Sequence, residues 1–188
     1  MTTPKTDTEA IAEKCKDSCV MIYAYMKDGT ISQGSGFAYN GYIITAKHVI
    51  EGSNKVVFFT DGGGYSNGAT IHYTDNHHDL AILKPSTKVP SVTLGDSDKL
   101  KDGNKLISIT SPYGEVNCMD ECIFSGTVQY TTWTGINLTE SSTDGGSSGG
   151  AVFNLNGELV GMVLNGEGEL TGAIPINSII RTLELRTK

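Results

Sequence analysis

Asn40-Gly41 separates two strand-like runs, Ile31–Tyr39 and Tyr42–Thr45. An Asn-Gly pair in that place is the favoured two-residue hairpin turn, because both residues accept the positive φ it needs. The chain repeats this plan end to end. Val20–Met26 closes at Lys27-Asp28-Gly29-Thr30, and Lys55–Thr60, Ala69–Thr74 and Leu80–Leu83 follow around a glycine-rich loop at 61–67. Residues 90–104 form a polar passage with turn residues. Beyond it the pattern resumes with Lys105–Thr110, Ile123–Tyr130, Ile136–Leu138, Ala151–Phe153, Leu159–Leu164 and Leu170–Ile176. Short strands at regular spacing predict an all-β sandwich or barrel. Glycine is abundant, at 23 residues against 5 prolines, as many tight turns require. Helix is expected only at the ends. Ile11, Cys15 and Cys19 recur at four-residue steps through 8–16, and Asn177 is placed to cap Ser178–Leu185, with Ile179, Ile180 and Leu183 on one face.

Charge and length narrow the function. A chain of 188 residues is long enough for a sizeable core. The net charge is −7 and no basic patch is evident, so neither nucleic acid nor an anionic membrane is an expected partner. No apolar run approaches the roughly 20 residues that span a bilayer. The stretch Met1–Asp7 lacks the apolar core of a secretory signal, which reads as a cytoplasmic or host-intracellular protein. The cysteines fall as Cys15-x3-Cys19 and Cys118-x3-Cys122. Zinc ligation, disulfides and redox thiols are each open to such pairs, but the spacer is longer than the usual zinc knuckle and no secretory signal favours disulfides. Reduced, half-buried thiols are the plainer expectation. No metal and no cofactor is expected, and the oligomeric state is open.

One loop carries chemistry. In Asp144-Gly145-Gly146-Ser147-Ser148-Gly149-Gly150-Ala151, Ser148 has glycine two residues before it and one after. A nucleophilic hydroxyl needs backbone N–H groups close by to meet the oxyanion that forms on attack, and glycine clears the side chains that would block them. A flexible linker would have polar flanks. This loop instead runs into Ala151-Val152-Phe153, the turn Asn154-Leu155-Asn156-Gly157, and Leu159–Leu164, a buried hairpin.

A nucleophilic serine also needs a base, and the base an orienter. Of the four histidines, His48 ends the apolar run Tyr42–Ile50, and Asp79 stands at the mouth of Leu80–Leu83. His72 alternates within a strand and reads as surface-facing. His77 and His78 are adjacent, so they point to opposite sides of an extended chain and read as loop residues rather than a shared metal site. The segments Gly34-Ser35-Gly36-Phe37, Ile44-Thr45-Ala46-Lys47-His48-Val49, Asp79-Leu80-Ala81-Ile82-Leu83-Lys84 and Gly146-Ser147-Ser148-Gly149-Gly150 together resemble the chymotrypsin-like serine peptidases. Leu94-Gly95-Asp96-Ser97-Asp98 and Gly172-Ala173-Ile174-Pro175 are similar to the HtrA/Deg branch. The likeness runs from about Cys19 to Leu185.

The resemblance implies two six-stranded antiparallel β-barrels with the site between them: residues 1–18 as a helical extension, 19–100 as the first barrel, and 101–188 as the second barrel with its terminal helix. It implies a serine endopeptidase acting on protein or peptide substrates through Ser148, His48 and Asp79, with the N–H groups of Gly146 and Ser148 as oxyanion donors. Ser147 replaces the aspartate that pairs with a freed N-terminus in the digestive enzymes, so activation by propeptide cleavage is not expected. Ser142 would lie at the floor of the specificity pocket, with Gly161, Met162 and Val163 on one wall and Gly172 on the other. A floor without carboxylate implies cleavage after small or medium uncharged residues, with Glu140 near enough to modify that. A PDZ domain of the kind the Deg family often carries is not expected. A viral or phage-type processing protease with a narrow cleavage sequence, and a non-catalytic binding module on the same fold, are the alternatives. A decayed enzyme would usually lose a triad member, and none is lost here.

Overall fold

The protein is described from a computed structural model covering residues 5–139, 141, 144–167 and 170–188, with residues 165–167 as backbone only. It opens with helix α1 (Asp7–Cys15). Thr6 caps it in a reciprocal capping box with Glu9, which satisfies two of the N–H groups a helix start leaves open. Six strands follow: β1 (Cys19–Met26), β2 (Ile31–Tyr39), β3 (Tyr42–Ala46), β4 (Ser53–Thr60), β5 (Asn67–Asp75) and β6 (Leu80–Pro85), with the one-turn helix α2 (Lys47–Ile50) after β3. They close into an antiparallel barrel in the order β1-β2-β3-β6-β5-β4. Asn40 and Gly41 both take positive φ, as the hairpin reading requires.

The second half contains β7 (Thr93–Leu94), β8 (Lys105–Thr110), β9 (Cys118–Gln129), β10 (Thr134–Thr139), β11 (Ala151–Phe153), β12 (Glu158–Glu167), β13 (Leu170–Pro175) and helix α3 (Ile176–Arg186). Its sheet runs β11-β8-β9-β10-β13-β12-β7, and an additional β11–β12 pairing closes six of these strands into a second antiparallel barrel. The two-residue β7 adds to β12 in parallel, so the polar passage between the halves contributes to the second sheet. The two six-stranded barrels expected from the sequence are therefore present.

Packing joins the barrels. One continuous core takes Phe37, Ile44, Leu80 and Ile82 from the first, Ile109, Phe153, Met162 and Ile174 from the second, and Ile11, Ile179 and Leu183 from the terminal helices. A separate cluster of Leu106, Cys122, Phe124, Leu138, Val160 and Val163 fills the second barrel. Each fully buried Leu, Ile or Phe contributes about 1.5–3 kcal/mol relative to leaving it exposed. The start of α3 corrects one expectation. Pro175, not Asn177, is its N-cap, and Asn177 lies inside the first turn. The Asn177 amide instead donates to Asp96 at 2.8 Å and its oxygen accepts from the Ser97 N–H at 3.3 Å, which fastens the helix to the chain between the barrels.

Candidate active site

His48 sits in α2, whose neighbouring residues Val49 and Ile50 are buried while His48 is exposed. β3 and β6 are paired with Ala46 opposite Leu80, so the residues just after Ala46 meet those just before Leu80. Asp79 turns into that meeting point with φ +52. This left-handed conformation is uncommon outside glycine, and Asp and Asn tolerate it best. It is held from both sides: the Lys47 N–H donates to the Asp79 carbonyl at 2.7 Å, and the His48 N–H donates to Asp79 Oδ1 at 2.9 Å. His48 Nδ1 lies 2.5 Å from Asp79 Oδ2. A carboxylate only accepts, so Nδ1 carries the hydrogen, and the neutral ring presents Nε2 as its acceptor. The hydrogen bond to Asp79 raises the His48 pKa above its ordinary 6.5; partial burial opposes this, and the Asp79 and Glu51 charges add to it.

Ser148 lies in the loop before β11. The Ser147 N–H donates to the Asp144 carbonyl at 3.0 Å, and the Ser147 hydroxyl accepts from the Asp144 N–H at 3.3 Å, which closes the turn reciprocally. Gly146 and Gly149 have φ +104 and +87. Glycine at 149 is demanded twice over, because a Cβ there would stand 2.3 Å from the Ser35 carbonyl and 2.4 Å from Thr45 Oγ1. The Ser35 N–H, on the first barrel, donates to the Ser148 carbonyl at 2.8 Å. The Ser148 hydroxyl donates to the Leu164 carbonyl at 2.7 Å. The Gly145 carbonyl accepts from the Tyr113 N–H at 2.9 Å. In a trans peptide the N–H opposes the carbonyl, so the Gly146 N–H points away from Tyr113. Among the described residues no hydrogen-bond acceptor meets the N–H of Gly146 or of Ser148.

The remaining candidates fall as follows. Ser142 and Glu140 lie outside the described residues. Gly172 stands opposite Asn165 in the β12–β13 ladder. Gly161 is opposite Val152 on β11, and Met162 and Val163 are wholly buried, one in the shared core and one in the second barrel's own. His72 is exposed, with Nε2 2.9 Å from the Arg186 carbonyl. His77 and His78 occupy the turn before Asp79; His78 pairs with Asp75 at 3.1 Å and faces Trp133 across the gap between barrels. The cysteines are free thiols in separate places: Cys15 and Cys19 in the shared core, Cys122 inside the second barrel with its pKa pushed up to about 12 by burial, and Cys118 exposed. Tyr113, which holds the loop before Ser148 through the Gly145 carbonyl, and Gln33, whose amide donates to the Ser111 carbonyl at 2.7 Å, were not singled out from sequence. Nothing in a lone strand glutamine, or in a tyrosine after Pro112, announces its partner.

Comparison with known proteins bears on the family and the fold. The family described as "Trypsin-like peptidase domain" matches residues 34–162. A probable periplasmic serine endoprotease DegP-like of Marinomonas is 37% identical over 142 residues, covering 70% of this chain and 29% of its own length. The periplasmic pH-dependent serine endoprotease DegQ of Escherichia coli is 34% identical over 144 residues, covering 69% and 30%. The chain thus spans about a third of the length of these relatives. Among solved structures, an HtrA-type protease, AlgW, with a tripeptide superposes with a TM-score of 0.85 at 24% identity, over 94% of this chain and 62% of its own. The Rv3671c protease of M. tuberculosis in its active form also gives 0.85, at 20% identity, over 94% and 83%. These relatives correct the expected cytoplasmic or host-intracellular location: those matched at 34–37% identity are named periplasmic. The chain belongs to the trypsin-like peptidase domain family, as a serine endopeptidase domain of the DegP/HtrA type.

Proposed function

We propose that the domain hydrolyses peptide bonds through an acyl-enzyme formed on Ser148, with His48 as general base and Asp79 as its orienter. The observation that carries this reading is the His48–Asp79 pair, held at 2.5 Å with the imidazole fixed in the tautomer that a base requires. On attack, the Ser148 proton passes to His48 Nε2 and the substrate carbonyl oxygen becomes an oxyanion facing the N–H groups of Gly146 and Ser148. His48 then returns the proton to the leaving amine, and water repeats the sequence to release the acid. The Ser148 hydroxyl donates to Leu164 at rest, so it must first swing about χ1; rotamer changes of this kind take picoseconds to nanoseconds and do not limit turnover. The substrates are proteins or peptides, and the compartment is the periplasm that the relatives' names give for them.

Specificity follows from charge. Ser142 is small and neutral, and a buried methylene returns about 0.8 kcal/mol where a buried unpaired charge costs several. Cleavage is therefore expected after Val, Ala, Leu, Ile or Thr, and little after Lys or Arg. The test is a fluorophosphonate probe with the adduct mapped by mass spectrometry, followed by a peptide-library cleavage profile. A single adduct on Ser148 and a profile led by small uncharged residues agree with the proposal. An unlabelled protein would move the reading to a binding module, and a profile led by Arg or Glu would overturn the specificity.

A further inference from the structure

We infer that Ser35 is a positioning residue that sets the oxyanion-binding backbone beside Ser148. The inference rests on the reading of Ser148 as nucleophile and of the Gly146 and Ser148 N–H groups as donors.

Ser35 lies in the middle of β2, on the first barrel, and is 1% exposed. All of its polar groups are engaged, and three of the four bonds reach other parts of the site. Its N–H donates to the Ser148 carbonyl at 2.8 Å. Its carbonyl accepts from the Thr45 hydroxyl at 2.7 Å, one strand over and three residues before His48. Its own hydroxyl donates to the Gly146 carbonyl at 2.7 Å and accepts from the Ser111 N–H at 2.7 Å. A hydroxyl donates and accepts at one atom in this way. The flanking glycines let β2 lie this close. A Cβ at 34 would stand 2.5 Å from Val49 on α2, the helix of His48, and a Cβ at 36 would stand 2.8 Å from the Ile44 carbonyl. One residue thus touches both sides of the site.

The consequence falls on Gly146. Ser35 holds its carbonyl, and Tyr113 holds the carbonyl of Gly145. The peptide planes on both sides of the Gly146 Cα are thereby fixed, and with them the direction of its N–H. Gly146 at φ +104 has no side chain of its own to hold this geometry. Without the Ser35 hydroxyl, the Gly146 carbonyl and the buried Ser111 N–H lose their partner, and the loop that aims the two donors is held at Gly146 on the Tyr113 side only. Misplacement by about 1 Å lowers rates on the order of 10²-fold.

The test compares Ser35→Ala with the wild-type chain on a peptide substrate. We expect kcat to fall about 10²-fold with KM within about threefold, the split expected of an interaction made only in the transition state. A peptide aldehyde gives an independent reading. Its carbonyl carbon bonds to Ser148 Oγ, the serine proton moves to His48, and the carbonyl oxygen occupies the oxyanion position. Its Ki should weaken by the same factor as kcat/KM, while binding of a non-cleavable peptide stays unchanged. A kcat within about twofold of wild type, or a loss confined to KM, would overturn the inference. Absence of fluorophosphonate labelling in the wild type would instead overturn the reading of Ser148 and is separable from this result. Where Ser35→Ala does not fold, Ser35→Cys retains a weak donor and acceptor at the same place and should give an intermediate kcat; wild-type kcat in that variant would contradict the role.

Discussion

The two barrels hold their shares of the site by opposite means. On the first, His48 and Asp79 are joined side chain to backbone and side chain to side chain, on a helical turn whose Val49 and Ile50 are anchored in the core. On the second, Ser148 sits in a glycine loop that has almost no side chains of its own to hold it. Beyond its own Asp144–Ser147 turn, its supports come from outside the loop: Ser35 from the other barrel, Tyr113 from the β8–β9 connection, and the Val163 carbonyl accepting from the Gly149 N–H at 2.7 Å. The proposed base and its orienter are thus built into the fold of one barrel, while the loop of the proposed nucleophile takes part of its support from the other. Disturbance of the interface should therefore reach the Ser148 loop before it reaches the His48–Asp79 pair.

Variants on each side sharpen this contrast. Asp79→Asn removes the partner that fixes the imidazole and should lower kcat about 10⁴-fold with the barrel intact, read by kinetics beside a thermal melt. Gly149→Ala acts on the other side. Its methyl would meet the Ser35 carbonyl at 2.3 Å at a φ of +87, so the loop must move. A loss of about 10²–10³ in kcat, with the His48 titration unchanged by NMR, is the expected outcome; a shifted His48 titration would mean that the two halves are not separately held.

Acidity gives the next effect. Only neutral His48 serves as base, and the Asp79 hydrogen bond raises its pKa above 6.5, so kcat/KM should rise with pH through a midpoint above that value. The sign for stability is the reverse. A raised folded-state pKa adds stability below the unfolded value, and this is lost as pH rises through the folded one. Asp79→Asn should move the NMR midpoint of His48 downward; an unmoved midpoint would assign the shift to some other charge. The smallest effect lies outside the site. Asn177→Ala removes the tie between α3 and the passage joining the barrels, and should lower Tm by about 2–6 °C without changing kcat.

Much of the barrel architecture was legible because hairpins write themselves locally. Asn40-Gly41 fixes a turn whatever surrounds it, and β2 and β8 run over the residues read from sequence. What depended on distant partners was not legible. β9 begins at Cys118, five residues before the expected start at Ile123, because residues 118–123 complete the ladder with β8 despite their two acids. β7 is two residues long and exists only through pairing with β12. Asn177 reads as a cap by residue type, yet its amide is taken by Asp96. The same division runs through the site. The glycines around Ser148 mark the loop in the sequence, since a side chain at 146, 149 or 150 would meet backbone. Ser35 stands in the sequence motif Gly34-Ser35-Gly36-Phe37, but its hold on that loop, like that of Tyr113, shows only in its neighbours in space.

The paired variants Ser148→Ala and Ser147→Ala, assayed for kcat/KM on one peptide, test the account most directly. The two serines are adjacent: one is turned to the Leu164 carbonyl, the other buried against Thr110 at 2% exposure. The account predicts a fall of about 10⁶-fold for Ser148→Ala with melting nearly unchanged, and a far smaller loss for Ser147→Ala. Full activity in Ser148→Ala would contradict it.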